Sequence, residues 1–123
     1  MKQLVTILEI SKRIKELKVK QESEFYWQNE GPVVNWRIVR KDELARNSQR
    51  CSAYLAGEVG ENLPIKIQIN GDTKYLCIYK RMGGWHISYE SETKYWHREI
   101  AKTLSNAMGL MLCYLIEQGI VKG

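Results

Sequence analysis

Along residues 63–89 apolar and polar positions alternate with a period of two, the pattern of strands with one covered face. Ile65, Ile67 and Ile69 alternate with Lys66, Gln68 and Asn70, and two further runs come after them, broken at Gly71 and at Gly83-Gly84. Glycine tolerates the positive φ that tight hairpin turns demand, so the stretch predicts a three-stranded antiparallel meander. With Gly71-Asp72 as the first loop, Ile67 lies opposite Leu76 and Ile65 opposite Ile78. A loop at Asn70-Gly71 would instead set Lys74 opposite Ile67, and is expected to turn the second strand's apolar set outward. With Met82-Gly83 as the second loop, Ile78 faces Ile87 and Leu76 faces Tyr89. One face then holds Ile65, Ile67, Ile69, Leu76, Ile78, Trp85, Ile87 and Tyr89. The other holds Lys66, Gln68, Tyr75, Cys77, Tyr79, His86 and Ser88.

Helical spacing appears at both ends. Ile7, Ile10, Ile14 and Leu17 recur at three- and four-residue steps, predicting an amphipathic helix over residues 2–19 with Lys12, Lys15 and Lys18 turned away from the stripe. From Ser91 as N-cap to Gly119 as terminator, Trp96, Ile100, Leu104, Ala107, Met111, Tyr114 and Leu115 share one face. A helix over residues 92–118 would be roughly 40 Å long, against about 20–23 Å for strands of this length. It must cross obliquely, kink or overhang. Its far portion carries Ser105, Gly109 and Cys113 at four-residue steps, a groove of small residues that suits either the first helix or a second copy of the chain.

Between these elements, residues 24–28 read as an edge strand and Gly31-Pro32 as a break. Residues 33–40 and 49–56 read as half-buried strands separated by a polar turn at 41–47, and residues 57–62 as a flexible acidic loop.

The chain is 123 residues long, which predicts one domain. Its N-terminal apolar run is broken by Glu9 and followed by basic residues without a small-residue cleavage site, so no signal peptide is expected, and no run is long enough to span a bilayer. Three widely spaced cysteines suit neither a disulfide framework nor a zinc site and point to the reducing cytoplasm. The net charge of +5 is concentrated: residues 1–20 carry +4 and residues 63–90 carry +2, while residues 21–62 carry −2. That balance suits nucleic acid or an acidic protein surface.

The residues exclude more chemistry than they name. His86 and His97 have no recognised metal-ligand spacing, no glycine pattern cradles phosphate, and no acidic pair sits where a metal-dependent nuclease needs one. Cofactors are not expected. His97, beside Trp96, reads as structural. A metal-free ribonuclease needs only a base, an acid and a cation, which His86, Tyr79, Lys66 and Arg81 could supply. Binding asks for less: rings on an open sheet stack with bases while lysine and arginine hold the backbone.

These observations predict an α+β domain over residues 1–123, with an N-terminal amphipathic helix, an antiparallel sheet of about five strands containing the 63–89 meander, and a long C-terminal helix packed on the sheet. The expected function is non-enzymatic binding of nucleic acid through Lys66, Tyr75, Tyr79, Lys80, Arg81 and His86. A second reading is an inhibitor or adaptor of the phage or plasmid kind acting on a protein target, since Trp and Tyr are favoured interface anchors; a third is the ribonuclease. A homodimer through Ser105, Gly109 and Cys113 is the alternative to an internal helix contact. Which sheet face the helices cover decides whether the aromatic and basic side chains are available.

Overall fold

β-Branched residues decide where the first helix begins. The computed structural model describes residues 2–30, 34–46, 48–92 and 94–122, with Tyr95 described by its backbone. Val5, Thr6 and Ile7 favour extended backbone. Val5 forms a bridge with Leu55, and the Thr6 N–H donates to the Tyr54 carbonyl at 2.9 Å. The helix expected over residues 2–19 therefore shortens to α1 (Leu8–Glu16). It ends in a Schellman arrangement with Lys18 left-handed at φ +69, the Lys18 and Val19 N–H groups donating to Lys15 and Ile14.

The strands form two antiparallel sheets rather than one of about five strands. β1 (Phe25–Asn29) lies between β2 (Trp36–Arg40) and β3 (Gln49–Ala53). The expected edge strand is thus the centre of its sheet, which its buried Tyr26, Trp27 and Gln28 fit. The Gly31-Pro32 break and Val33 lie outside the described residues. The expected acidic loop contains a short helix, α2 (Ala56–Gly60), because the Glu58 carboxylate accepts from the Leu55 and Glu24 N–H groups and Val59 is buried.

The second sheet runs β4 (Lys66–Ile69), β5 (Asp72–Arg81), β6 (Gly84–Glu90), β7 (Tyr95–Ala101). Its first turn is Asn70-Gly71, not Gly71-Asp72, so Ile67 pairs with Lys74. Both turn residues have positive φ, +52 and +80, the geometry of a type I′ hairpin, which Asn-Gly suits best. Moving a loop by one residue moves each partner by two. The faces are preserved, and the expected outward turn of the second strand does not occur. Lys74 lands on the inner face, buried, with its ammonium on Asp72 at 2.7 Å and Ser91 at 3.0 Å. The second turn and its pairings, Ile78 with Ile87 and Leu76 with Tyr89, are as expected.

The long C-terminal helix is divided. Residues 95–101 are β7, paired along β6, and Ser91 closes a hairpin turn by donating its N–H to the Lys94 carbonyl instead of capping a helix. Thr103, accepting from the Asn106 N–H, opens α3 (Leu104–Glu117). At 14 residues this helix is about 21 Å long, matching the sheet, and the expected overhang disappears. Gly119, at φ +75, terminates it, with the Ile120 and Gly119 N–H groups donating to Leu115 and Ile116.

α3 lies on β6 and β7. Its Met108, Met111, Leu112 and Leu115 join Ile67, Ile87 and Tyr89 from the isoleucine face, Val59 from α2, and Ile10 and Ile14 from α1. A smaller cluster of Val5, Trp27, Cys51 and Ala53 lies between α1 and the three-stranded sheet. Among the described residues no helix is long and apolar enough to cross a membrane.

Candidate nucleic-acid interface

α1, α2 and α3 all pack on the isoleucine side of the four-stranded sheet, away from its second face. Strand pairing arranges that face in cross-strand rows. Tyr79, His86 and Ile100 form the row nearest the β5–β6 turn; Cys77, Ser88 and Arg98 the next; Lys66, Tyr75 and Glu90 the third. Rows are two residues apart, so the first and third lie about 13 Å from each other. Tyr75 is 53% exposed and Ile100 51%, and Lys66 and Arg81 are exposed as well.

The first row is stacked upon itself. The Tyr79 and His86 rings lie 5.5 Å apart with an interplanar angle of 24°, and the Arg81 guanidinium sits 4.8 Å from the Tyr79 ring centre. The Tyr79 ring is thus already in contact with another ring and with a cation. Tyr75 makes no ring contact among the described residues and stands open.

Glu90, in the Tyr75 row, ties the rows together. Its carboxylate accepts from the Ser88 hydroxyl and, at 3.1 Å, from Tyr79 Oη. The Ser88 contact foremost, with Tyr79 and the positive charges of Arg98 and Arg81, outweighs partial burial and holds the carboxyl below the usual carboxylate range. Burial, reinforced by the Glu90 charge, pushes the neighbouring Cys77 thiol up. His86 Nδ1 is buried with no hydrogen-bond partner among the described residues.

Charge is divided across this surface. Lys66, Arg81 and Arg98 supply positive charge, whereas Asp72, Glu90 and Glu92 line a hollow of about 610 Å³ beside Tyr75 and Cys77. Among the described residues no group of three His, Cys, Asp or Glu side chains is placed to hold a metal ion.

Of the six residues expected to bind nucleic acid, the structure brings Lys66, Tyr75, Tyr79, Arg81 and His86 to this face. Lys80 is not with them. It is opposite Trp85 in the register, on the isoleucine face, with Nζ 5.6 Å from the Trp85 ring centre. Adjacent strand residues point to opposite faces, so Lys80 and Arg81 cannot both serve the outer one. Glu90 and Arg98 went unrecognised in the sequence: Glu90 continues the 86, 88 alternation, but Arg98 was hidden in a segment read as helix. His97, expected to be structural, stacks at 3.5 Å on Tyr114 of α3 and pairs with Glu99.

The small-residue groove is filled within the chain. Ser105 Oγ donates to the Leu4 carbonyl, Gly109 is packed under Ile10 and Thr6, and Cys113 is fully buried. Ser105 and Gly109 thus meet the N-terminal segment, the internal alternative the sequence allowed, and Cys113 lies in the same core cluster as Ile10 and Ile14.

Comparison with protein-family models, curated proteins and solved structures finds no match for this chain.

Proposed function

We propose that this is a non-enzymatic, cytoplasmic binding protein that takes single-stranded nucleic acid on the outer face of the four-stranded sheet. The observation that carries the reading is that α1, α2 and α3 all leave this face uncovered, although it presents Tyr75, Tyr79 and His86 with three cations. A flat sheet suits single strands, whose unstacked bases can reach side-chain rings, better than a duplex whose bases are paired and stacked. Phosphates would follow Arg81 and Arg98 and avoid the carboxylates at the Tyr75 end. Binding is preferred to cleavage because it asks only for rings and cations on an open face, whereas cleavage would also need a base and an acid set on either side of a phosphate.

The acidic hollow favours one other reading, a protein target that pairs basic residues with Asp72, Glu90 and Glu92 and packs on Tyr75. A fluorescence-anisotropy titration with a labelled oligouridylate at several salt concentrations separates the two. Nucleic-acid binding predicts an affinity that falls steeply with salt. It also predicts a loss of roughly 5- to 150-fold on Tyr75→Ala, the range of one base–ring stack. An oligonucleotide that fails to bind at low salt removes the nucleic-acid reading.

A further inference from the structure

A second aromatic and basic site lies on the other sheet, away from the outer face of the four-stranded one. A groove of about 540 Å³ opens between α1 and the three-stranded sheet, within the size range of small-molecule sites. Its floor is one cross-strand row: Asn29 of the central strand pairs with Trp36 on one side and Gln49 on the other. Asn29 Nδ2 donates to Gln49 Oε1 at 2.8 Å, which fixes one amide against the other and keeps the Gln49 NH₂ as a donor. The wall is α1, whose Lys12 and Lys15 stand one turn apart on the side away from Ile10 and Ile14.

Both lysines are held at the groove. Lys12 Nζ lies 4.7 Å from the Trp36 ring centre. Lys15 Nζ donates to the Arg50 carbonyl at 2.6 Å, which uses one of its three N–H bonds. Arg50 also lines the groove, but its guanidinium is engaged with the Ala45 carbonyl. Glu16 is the acidic lining residue and is outnumbered by these cations.

A ring, two side-chain amides and two ammonium groups on facing walls match one ligand chemistry. We propose that the groove is a nucleotide site, taking an aromatic base against Trp36 with its edge on Asn29 and Gln49 and its phosphate on Lys12 and Lys15. In the free protein the Lys12 ammonium stands where the base would lie. A cation over a ring at an exposed site is a weaker contact than a stacked base, so the exchange runs toward the ligand and releases Lys12 to the phosphate.

The test is a titration of the full chain with adenosine 5′-monophosphate, adenosine and inorganic phosphate, each followed by amide and indole resonances. The monophosphate should shift Trp36 and the residues around Lys15, with adenosine and phosphate each binding at least about tenfold more weakly. Lys15→Gln, at an exposed helix position that leaves the fold intact, should weaken the monophosphate about fivefold or more, while Arg81→Ala on the other sheet leaves it unchanged. No shift at about 10 mM nucleotide, equal shifts from phosphate alone, or shifts confined to the outer face of the four-stranded sheet would each overturn the assignment.

Discussion

At the scale of single residues, three positions make measurable claims. A Cβ on Gly109 would stand 2.8 Å from Ile10 Cγ2 and 3.1 Å from Thr6 Cγ2, closer than side chains pack. Alanine would gain about 1 kcal/mol of helix propensity there but overpacks at a cost of about 1–3 kcal/mol. Gly109→Ala should therefore lower stability modestly, and Gly109→Val clearly, in urea denaturation. Lys18 presents the opposite case. It holds a left-handed conformation that costs a side chain about 1–2 kcal/mol, partly offset for glycine by the freedom it adds to the unfolded chain. Lys18→Gly should stabilise by about 0.5–1 kcal/mol; no gain would mean that the lysine side chain compensates elsewhere. Glu90 and Asp72 both have carboxyl groups held below their ordinary values, Glu90 chiefly by Ser88 and Asp72 chiefly by Lys74. A depressed folded-state value contributes stability above the unfolded value and loses it as pH falls through the folded one. The stability advantage of the native chain over Glu90→Gln should thus be present at neutral pH and fade below about pH 4.5, the ordinary value for this carboxyl.

Among the elements, the junction of β7 and α3 is the most instructive. Trp96, Ile100 and Leu104 fall at four-residue steps and read as one helix with residues 105–118, yet the first two belong to a strand. Periodicity over so short a window cannot separate the two when a strand of seven residues runs straight into a helix. The deciding features are local: Thr103 as N-cap, and the free edge of β6, whose backbone groups need a partner. Thr103→Ala should cost about 1 kcal/mol, read as a shift in urea midpoint at unchanged slope. Gly84 guards the same junction from the other side. A Cβ there would meet the Ala101 carbonyl oxygen at 2.3 Å, and its φ of +140 excludes most side chains. Gly84→Ala should disrupt the β6–β7 pairing and appear as lost hydrogen-exchange protection along β7.

For the whole molecule, the class and the isoleucine face were legible because alternation and helical stripes record burial directly. The division into two sheets was not. It depends on Phe25–Asn29 pairing on both sides, and a single strand's pattern does not say how many neighbours it has. The open face was readable as a set of residues, but its being open was not, since that required knowing where the helices pack. The same arrangement makes a chemical prediction. Cys51 and Cys113 are buried, with the Cys113 thiol pushed up to about 11 by burial, whereas Cys77 lies partly exposed on the outer face. A thiol reagent should label one cysteine in the folded chain and all three in denaturant, and bound oligonucleotide should slow the first reaction. Rapid labelling of Cys51 or Cys113 in the folded chain would contradict this packing.

The seam between the chain's two ends carries a further consequence. The Ile7 N–H is accepted by Asn106 Oδ1 at 2.8 Å, and Leu4 receives the Ser105 hydroxyl, so the first helix docks on residues about a hundred positions away. Loops that long are slow to close, and their contacts reward folding only once closed. On a ribosome α1 would emerge about a hundred residues before α3 is complete, and would wait through that interval with Ile10 and Ile14 uncovered. Leu4 and Ile7, made long before Ser105 and Asn106, would find their place only after them.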